Sequence, residues 1–153
     1  MKQVSKVVLV LSAAVACALT ACGGGATGPR VPNVNGTWSL SLTNLSGSGI
    51  SCSASGTTMN LTQTGATFSG SYSGGTFTCV GGGESFSTQL GTGSVIDGAI
   101  GGNSVSFELD SPDFPLAGTI SGRSMSGTCT MRVDLGEPYG VITLAGNWGA
   151  AEQ

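Results

Sequence analysis

Gly98-Ala99-Ile100-Gly101-Gly102-Asn103-Ser104-Val105-Ser106 returns twenty residues later as Gly118-Thr119-Ile120-Ser121-Gly122-Arg123-Ser124-Met125-Ser126. In both copies a glycine-containing pair separates two short segments in which apolar residues alternate with small or hydroxyl ones. Alternating segments joined by a two-residue Gly turn are the signature of a β-hairpin. A weaker third copy is centred on Gly65, with Phe68-Ser69 where the others have Val105-Ser106 and Met125-Ser126. Hairpins recurring at this interval predict an up-and-down meander.

The same alternation extends through the chain, and helical periodicity is absent. Trp38, Leu40 and Leu42 alternate with Ser39, Ser41 and Thr43, and Met59 and Leu61 with Asn60 and Thr62. Phe68, Gly70 and Tyr72 alternate with Ser69 and Ser71, and Val105, Phe107 and Leu109 with Ser104, Ser106 and Glu108. Met125, Gly127, Cys129, Met131 and Val133 alternate with Ser124, Ser126, Thr128, Thr130 and Arg132. One face apolar and one hydroxyl-rich is the pattern of antiparallel strands half exposed to water. The expectation is an all-β domain: an antiparallel meander of 8–10 strands that must close or stack to hide its edges. A closed barrel is the first expectation and a two-sheet sandwich the alternative. Gly70, Gly118 and Gly127 fall on the apolar face, where they either let strands coil tightly or leave room for a guest; coiling is the simpler reading.

Ahead of the domain, Lys2 and Lys6 precede an apolar run, Val7 to Leu19, that ends in Leu19-Thr20-Ala21-Cys22 and gives way to Gly23-Gly24-Gly25. The run is short for a membrane span, which needs about 20 apolar residues. A basic tip, a short apolar core and small residues at the end form a secretory signal. Ala14-Val15-Ala16 offers an ordinary cleavage site, but Leu-Thr-Ala-Cys resembles the lipobox of bacterial lipoproteins. That resemblance implies cleavage before Cys22, acylation of its sulfur and anchoring by more than one chain. With Gly23 rather than Asp after the cysteine, it also implies the outer membrane. The chain then divides into a signal peptide (1–21), a lipidated Cys and flexible Gly/Pro tether (22–35) and a barrel domain (36–150). Gly36-Thr37-Trp38 at the domain's start resembles the Gly-x-Trp opening of lipocalins and avidin-like barrels, implying their architecture with a tryptophan plugging one end. The whole resembles the small Gly/Ser-rich lipoproteins of bacteria.

Composition narrows the function. There is no histidine, so Ser-His-Asp, Cys-His and His-based zinc chemistry are absent as usually built. No metal or cofactor and no enzymatic activity is expected. Of five basic residues two lie in the signal, so three arginines face eight carboxylates and the net charge beyond residue 21 is −5. That argues against nucleic acid as a partner.

Beyond Cys17 and Cys22, three cysteines remain: Cys52, Cys79 and Cys129. Each is in register with apolar neighbours and should face inward. One bridge is expected in an exported protein. Cys52–Cys79 closes the shortest loop, which leaves Cys129 as a buried, inert thiol.

Two loops differ from the tight turns, Asp110-Ser111-Pro112-Asp113-Phe114-Pro115 and Val133-Asp134-Leu135-Gly136-Glu137-Pro138-Tyr139. Because turns alternate between the ends of a meander, these two should share the end opposite Gly102 and Gly122. That end would gather Asp110, Asp113, Asp134 and Glu137 around Phe114, Leu135 and Tyr139 as a binding mouth. If the last strand pairs with the first, the tether leaves from the other end and the mouth points away from the membrane. The plainer reading is that these carboxylates keep a serine-rich protein soluble. The functional expectation is a lipid-anchored, non-catalytic binding module for a small apolar ligand or an envelope protein. The alternative is a structural or interaction lipoprotein with a filled barrel, or an inhibitor of an envelope enzyme.

Overall fold

A computed structural model describes residues 30–110, 113–134 and 140–153. It contains nine strands: β1 (Gly36–Gly47), β2 (Ile50–Thr64), β3 (Thr67–Gly81), β4 (Glu84–Gln89), β5 (Thr92–Gly101), β6 (Ser104–Asp110), β7 (Asp113–Ser121), β8 (Ser124–Asp134) and β9 (Val141–Glu152). All pairings are antiparallel, and β9 returns to β1 while β2 pairs with β3. Eight strands thus close a barrel in the order β1-β2-β3-β5-β6-β7-β8-β9, and β4 stands outside as an extra strand on β3.

The alternation read in the sequence is the inside and outside of this wall. Trp38, Leu40, Leu42, Met59, Leu61, Phe68, Tyr72, Val105, Phe107, Leu109, Met125, Cys129 and Met131 are buried in one core cluster. The residues between them on β8, Ser124, Ser126, Thr128, Thr130 and Arg132, are exposed. The wall therefore turns hydroxyls outward and hydrocarbon inward, the reverse of a barrel that crosses a bilayer.

The repeated motif becomes three turns at one end. Gly65, Gly102 and Gly122 have φ of 63°, 61° and 58°, while Ala66, Asn103 and Arg123 do not have positive φ. Positive φ at the first central position alone is the type II′ arrangement, whose twist suits a hairpin. In each turn the second residue's carbonyl accepts from the following strand: Ala66 from Ile100 (2.8 Å), Asn103 from Ile120 (2.8 Å) and Arg123 from Glu152 (3.0 Å). Each tip is fastened to its neighbour, which is why the unit recurs. The start of β1 and the end of β9 share this end.

Trp38 plugs it. Its side chain is fully buried and its indole N–H donates to the Val34 carbonyl at 2.9 Å. Val34 is fully buried too, and its N–H donates to Gln63 Oε1 at 2.7 Å. Gln63 donates back to Pro32 O (3.0 Å) and to Asn35 Oδ1 (2.7 Å). Packing therefore reaches back into the segment read as free tether: Pro32 to Asn35 are held against the barrel floor. The signal peptide and Cys22 lie outside the described residues.

The inward glycines close the wall. A Cβ on Gly118 would stand 2.0 Å from Ser126 O, and one on Gly127 1.9 Å from Ala117 O. These two glycines face each other across β7 and β8, and Gly127 also faces Trp148 across β8 and β9. Trp148 donates its indole N–H to Ala117 O at 3.1 Å. To reach β7 from β9 the ring must lie across β8 at Gly127, on a seat that side chains would block.

Candidate functional site

Aromatic rings meet inside the barrel. Phe68 on β3, Phe107 on β6 and Trp148 on β9 come from well-separated strands, yet their rings touch. Centroids are 5.8 Å apart for Phe68–Phe107 and 5.1 Å for the edge-on Phe107–Trp148 pair. Both spacings lie in the favourable range for tilted aromatic contacts. A line of rings thus crosses the lumen.

The second end carries the β1–β2, β3–β4, β6–β7 and β8–β9 connections, so the two acidic loops do share an end, opposite the start of β1. Asp110 and Asp113 face each other across the β6–β7 hairpin. The Asp110 carboxylate accepts the Ser94 N–H at 2.6 Å. Asp110 therefore ties β6 to the start of β5. Asp134 is exposed on β8 opposite Val141 of β9. Phe114 corrects the reading of an apolar loop tip. It is fully buried, because inward parity on β7 runs Phe114, Leu116, Gly118, Ile120 and the strand starts before the expected loop ends. Leu135, Glu137 and Tyr139 lie outside the described residues. Asp110 and Asp113 are thus brought together by register, with Asp134 on the next strand round, β8.

The other lip of this end was not legible as a site. β2 and β3, fifteen residues each, outrun the rest of the barrel and carry β4 on their flank. One row on this face of the sheet runs Leu45 (β1), Cys52 (β2), Cys79 (β3), Phe86 (β4) by direct cross-strand pairing, ending in the exposed Phe86. Cys52 and Cys79 form the disulfide. Beyond it lies a largely apolar groove of about 510 Å³ lined by Ser48, Gly49, Ile50, Gly81, Gly82, Glu84 and Phe86. The available signal was the alternation continuing from Phe77 and Cys79 through the Gly82-Gly83 turn to Phe86. A second, open groove of about 290 Å³ on the outer wall is lined mainly by hydroxyls, Thr62, Thr64, Thr67 and Ser69, beside Asp97.

Reactive groups are few. Cys129 is buried, and loss of hydration pushes its thiol up to about 11. A thiol so placed is a poor nucleophile. Among the described residues no three His, Cys, Asp or Glu side chains come together as metal ligands. The arrangement offers contact surfaces: an apolar groove on one lip and carboxylates on the other. No protein-family model, curated protein or solved structure matches the chain.

Proposed function

We propose that this chain is a lipid-anchored, non-catalytic cell-envelope protein that works through the surface of its open end. The observation that carries the reading is the separation of its two ends. The chain enters beside Trp38, where Val34 and Gln63 fix its direction. The apolar groove at Ile50 and Phe86 and the loops of Asp110, Asp113 and Asp134 stand at the far end. A tether leaving from the floor would hold that end toward whatever lies beyond the membrane surface. The anchor itself rests on Leu19-Thr20-Ala21-Cys22 and the apolar run before it. Gly23 after the cysteine favours the outer membrane.

Between a carrier and an interaction protein, the ring line through Phe68, Phe107 and Trp148 favours the second. The groove suits an apolar side chain or small apolar group presented by an envelope partner. A polar, hydroxyl-covered wall with net negative charge suits neither nucleic acid nor an anionic bilayer.

Expressed in a bacterial host with an alkynyl fatty acid, the full chain is expected to take up the label and to fractionate with outer membranes. Cys22→Ser is expected to lose both. Equal labelling of the variant, or a parent chain recovered without label in the soluble fraction, overturns the anchor.

A further inference from the structure

Among the described residues, closure of the barrel hides every sheet edge but one. Each of the eight barrel strands has a partner on both sides, whereas β4 pairs with β3 alone among the described residues. All six β4 residues are exposed, Phe86 at 46%. Natural sheets blunt such edges with lysine, proline, a bulge or a covering segment. Glu84-Ser85-Phe86-Ser87-Thr88-Gln89 has no lysine or proline, and its register with β3 is unbroken from Thr76–Gln89 to Gly81–Glu84.

We infer that β4 is a self-association edge, at which two copies of the chain pair β4 with β4, antiparallel, about a two-fold axis. Strand addition to an exposed edge supplies main-chain hydrogen bonds, and side chains select the partner. An edge-to-edge two-fold axis must stand perpendicular to the sheet, so residues facing each other across it lie on the same face. Phe86 faces Cys79, which puts Glu84, Phe86 and Thr88 on the groove side and Ser85, Ser87 and Gln89 on the other. The register centred on Phe86 then opposes it to the partner's Phe86. Glu84 opposes the partner's Thr88, and Ser85 opposes the partner's Ser87.

Each of these pairs is compatible. Two phenyl rings meet over the apolar groove, where cross-strand aromatic pairs are favourable. The only charge on the strand meets a hydroxyl that can donate to it, and no carboxylate meets another. Hydroxyls pair on the outer face. This self-match favours a second copy over a foreign strand. The paired stretch is short, well below the roughly 1,000 Å² of a stable interface, so the dimer is a weak, dissociable one. The inference does not depend on the lipid anchor.

The test is position-specific cross-linking in the full chain. Directly opposed residues have Cα atoms about 5 Å apart, within reach of a disulfide, while diagonal neighbours at about 7–8 Å are not. Under mild oxidation a mixture of Ser85→Cys and Ser87→Cys is expected to give linked dimer at least tenfold faster than either variant alone or the parent chain, which carries the same other cysteines; Phe86 stays in place because a thiol there would face the Cys52–Cys79 disulfide. Ser69→Cys, on the outer wall of β3, should match the parent. The mixture reacting no faster than Ser69→Cys overturns the inference and leaves the edge to a foreign strand or to none. Ser85→Cys alone reacting as fast as the mixture overturns the register and with it the two-fold pairing.

Discussion

At the scale of single residues, this protein is governed by what glycine and cysteine do on the inside of a small barrel. Gly127 has no room for a methyl group, since Ala117 O lies 1.9 Å from where its Cβ would be. It also forms the seat across which Trp148 reaches β7. Gly127→Ala is expected to cost about 3 kcal/mol, the upper end for overpacking, measured by urea unfolding followed through tryptophan fluorescence. Cys129 acts through protonation. Burial holds its folded value at about 11, above the ordinary 9.0 of a cysteine thiol. Both states hold the proton below pH 9, whereas between 9 and 11 the unfolded chain releases it first. Stability is therefore lost as pH rises through that window, by about 1 kcal/mol at pH 10. Unfolding of the parent and of Cys129→Ala from pH 8 to 11 checks this, since only the parent carries that slope.

At the scale of elements, turns and the disulfide carry different loads. Gly122 has open space around its missing Cβ, so only its φ of 58° opposes a side chain. Gly122→Ala should cost about 2 kcal/mol, the strain of a side chain at the glycine-favouring first position of a type II′ turn. Its milder effect beside Gly127→Ala separates conformational from packing demands. The ion pair of Arg123 with Glu152 at 2.9 Å is exposed and adds little to that turn. The Cys52–Cys79 bond spans 27 residues of sequence and clamps the part of β2 and β3 that carries β4. Replacing both cysteines by alanine should lower stability by about 3.5 kcal/mol on the chain-entropy account, read from the shift in the urea midpoint. Hydrogen exchange should then rise first in β4 and in its partners Thr76 to Gly81.

At the scale of the whole molecule, the two ends of the barrel differ and aromatic rings meet between them. If rings from β3, β6 and β9 occupy the lumen, the folded protein carries no small molecule there. Native and denaturing mass spectra should then agree on the polypeptide mass plus any covalent lipid. Additional mass lost on denaturation would move the site into the barrel and make the protein a carrier.

Fold class, strand faces, the shared end of the two acidic loops and the bridging cysteines were all legible in the sequence, because period-two alternation, Gly turns and loop length are local properties. The floor contacts of Val34 with Trp38 and Gln63 were not, since a glycine- and proline-rich stretch looks the same whether packed or free. Phe114 was misplaced for a related reason: Pro112 and Pro115 signal a loop, whereas register with Leu109 carries the strand through it. The open edge at β4 and the groove beside Phe86 likewise emerged only with the tertiary structure. Alternation says which way a side chain points but not which strand lies next to it. Barrel closure decided that, pairing β5 with the first half of β3 and leaving the second half to β4.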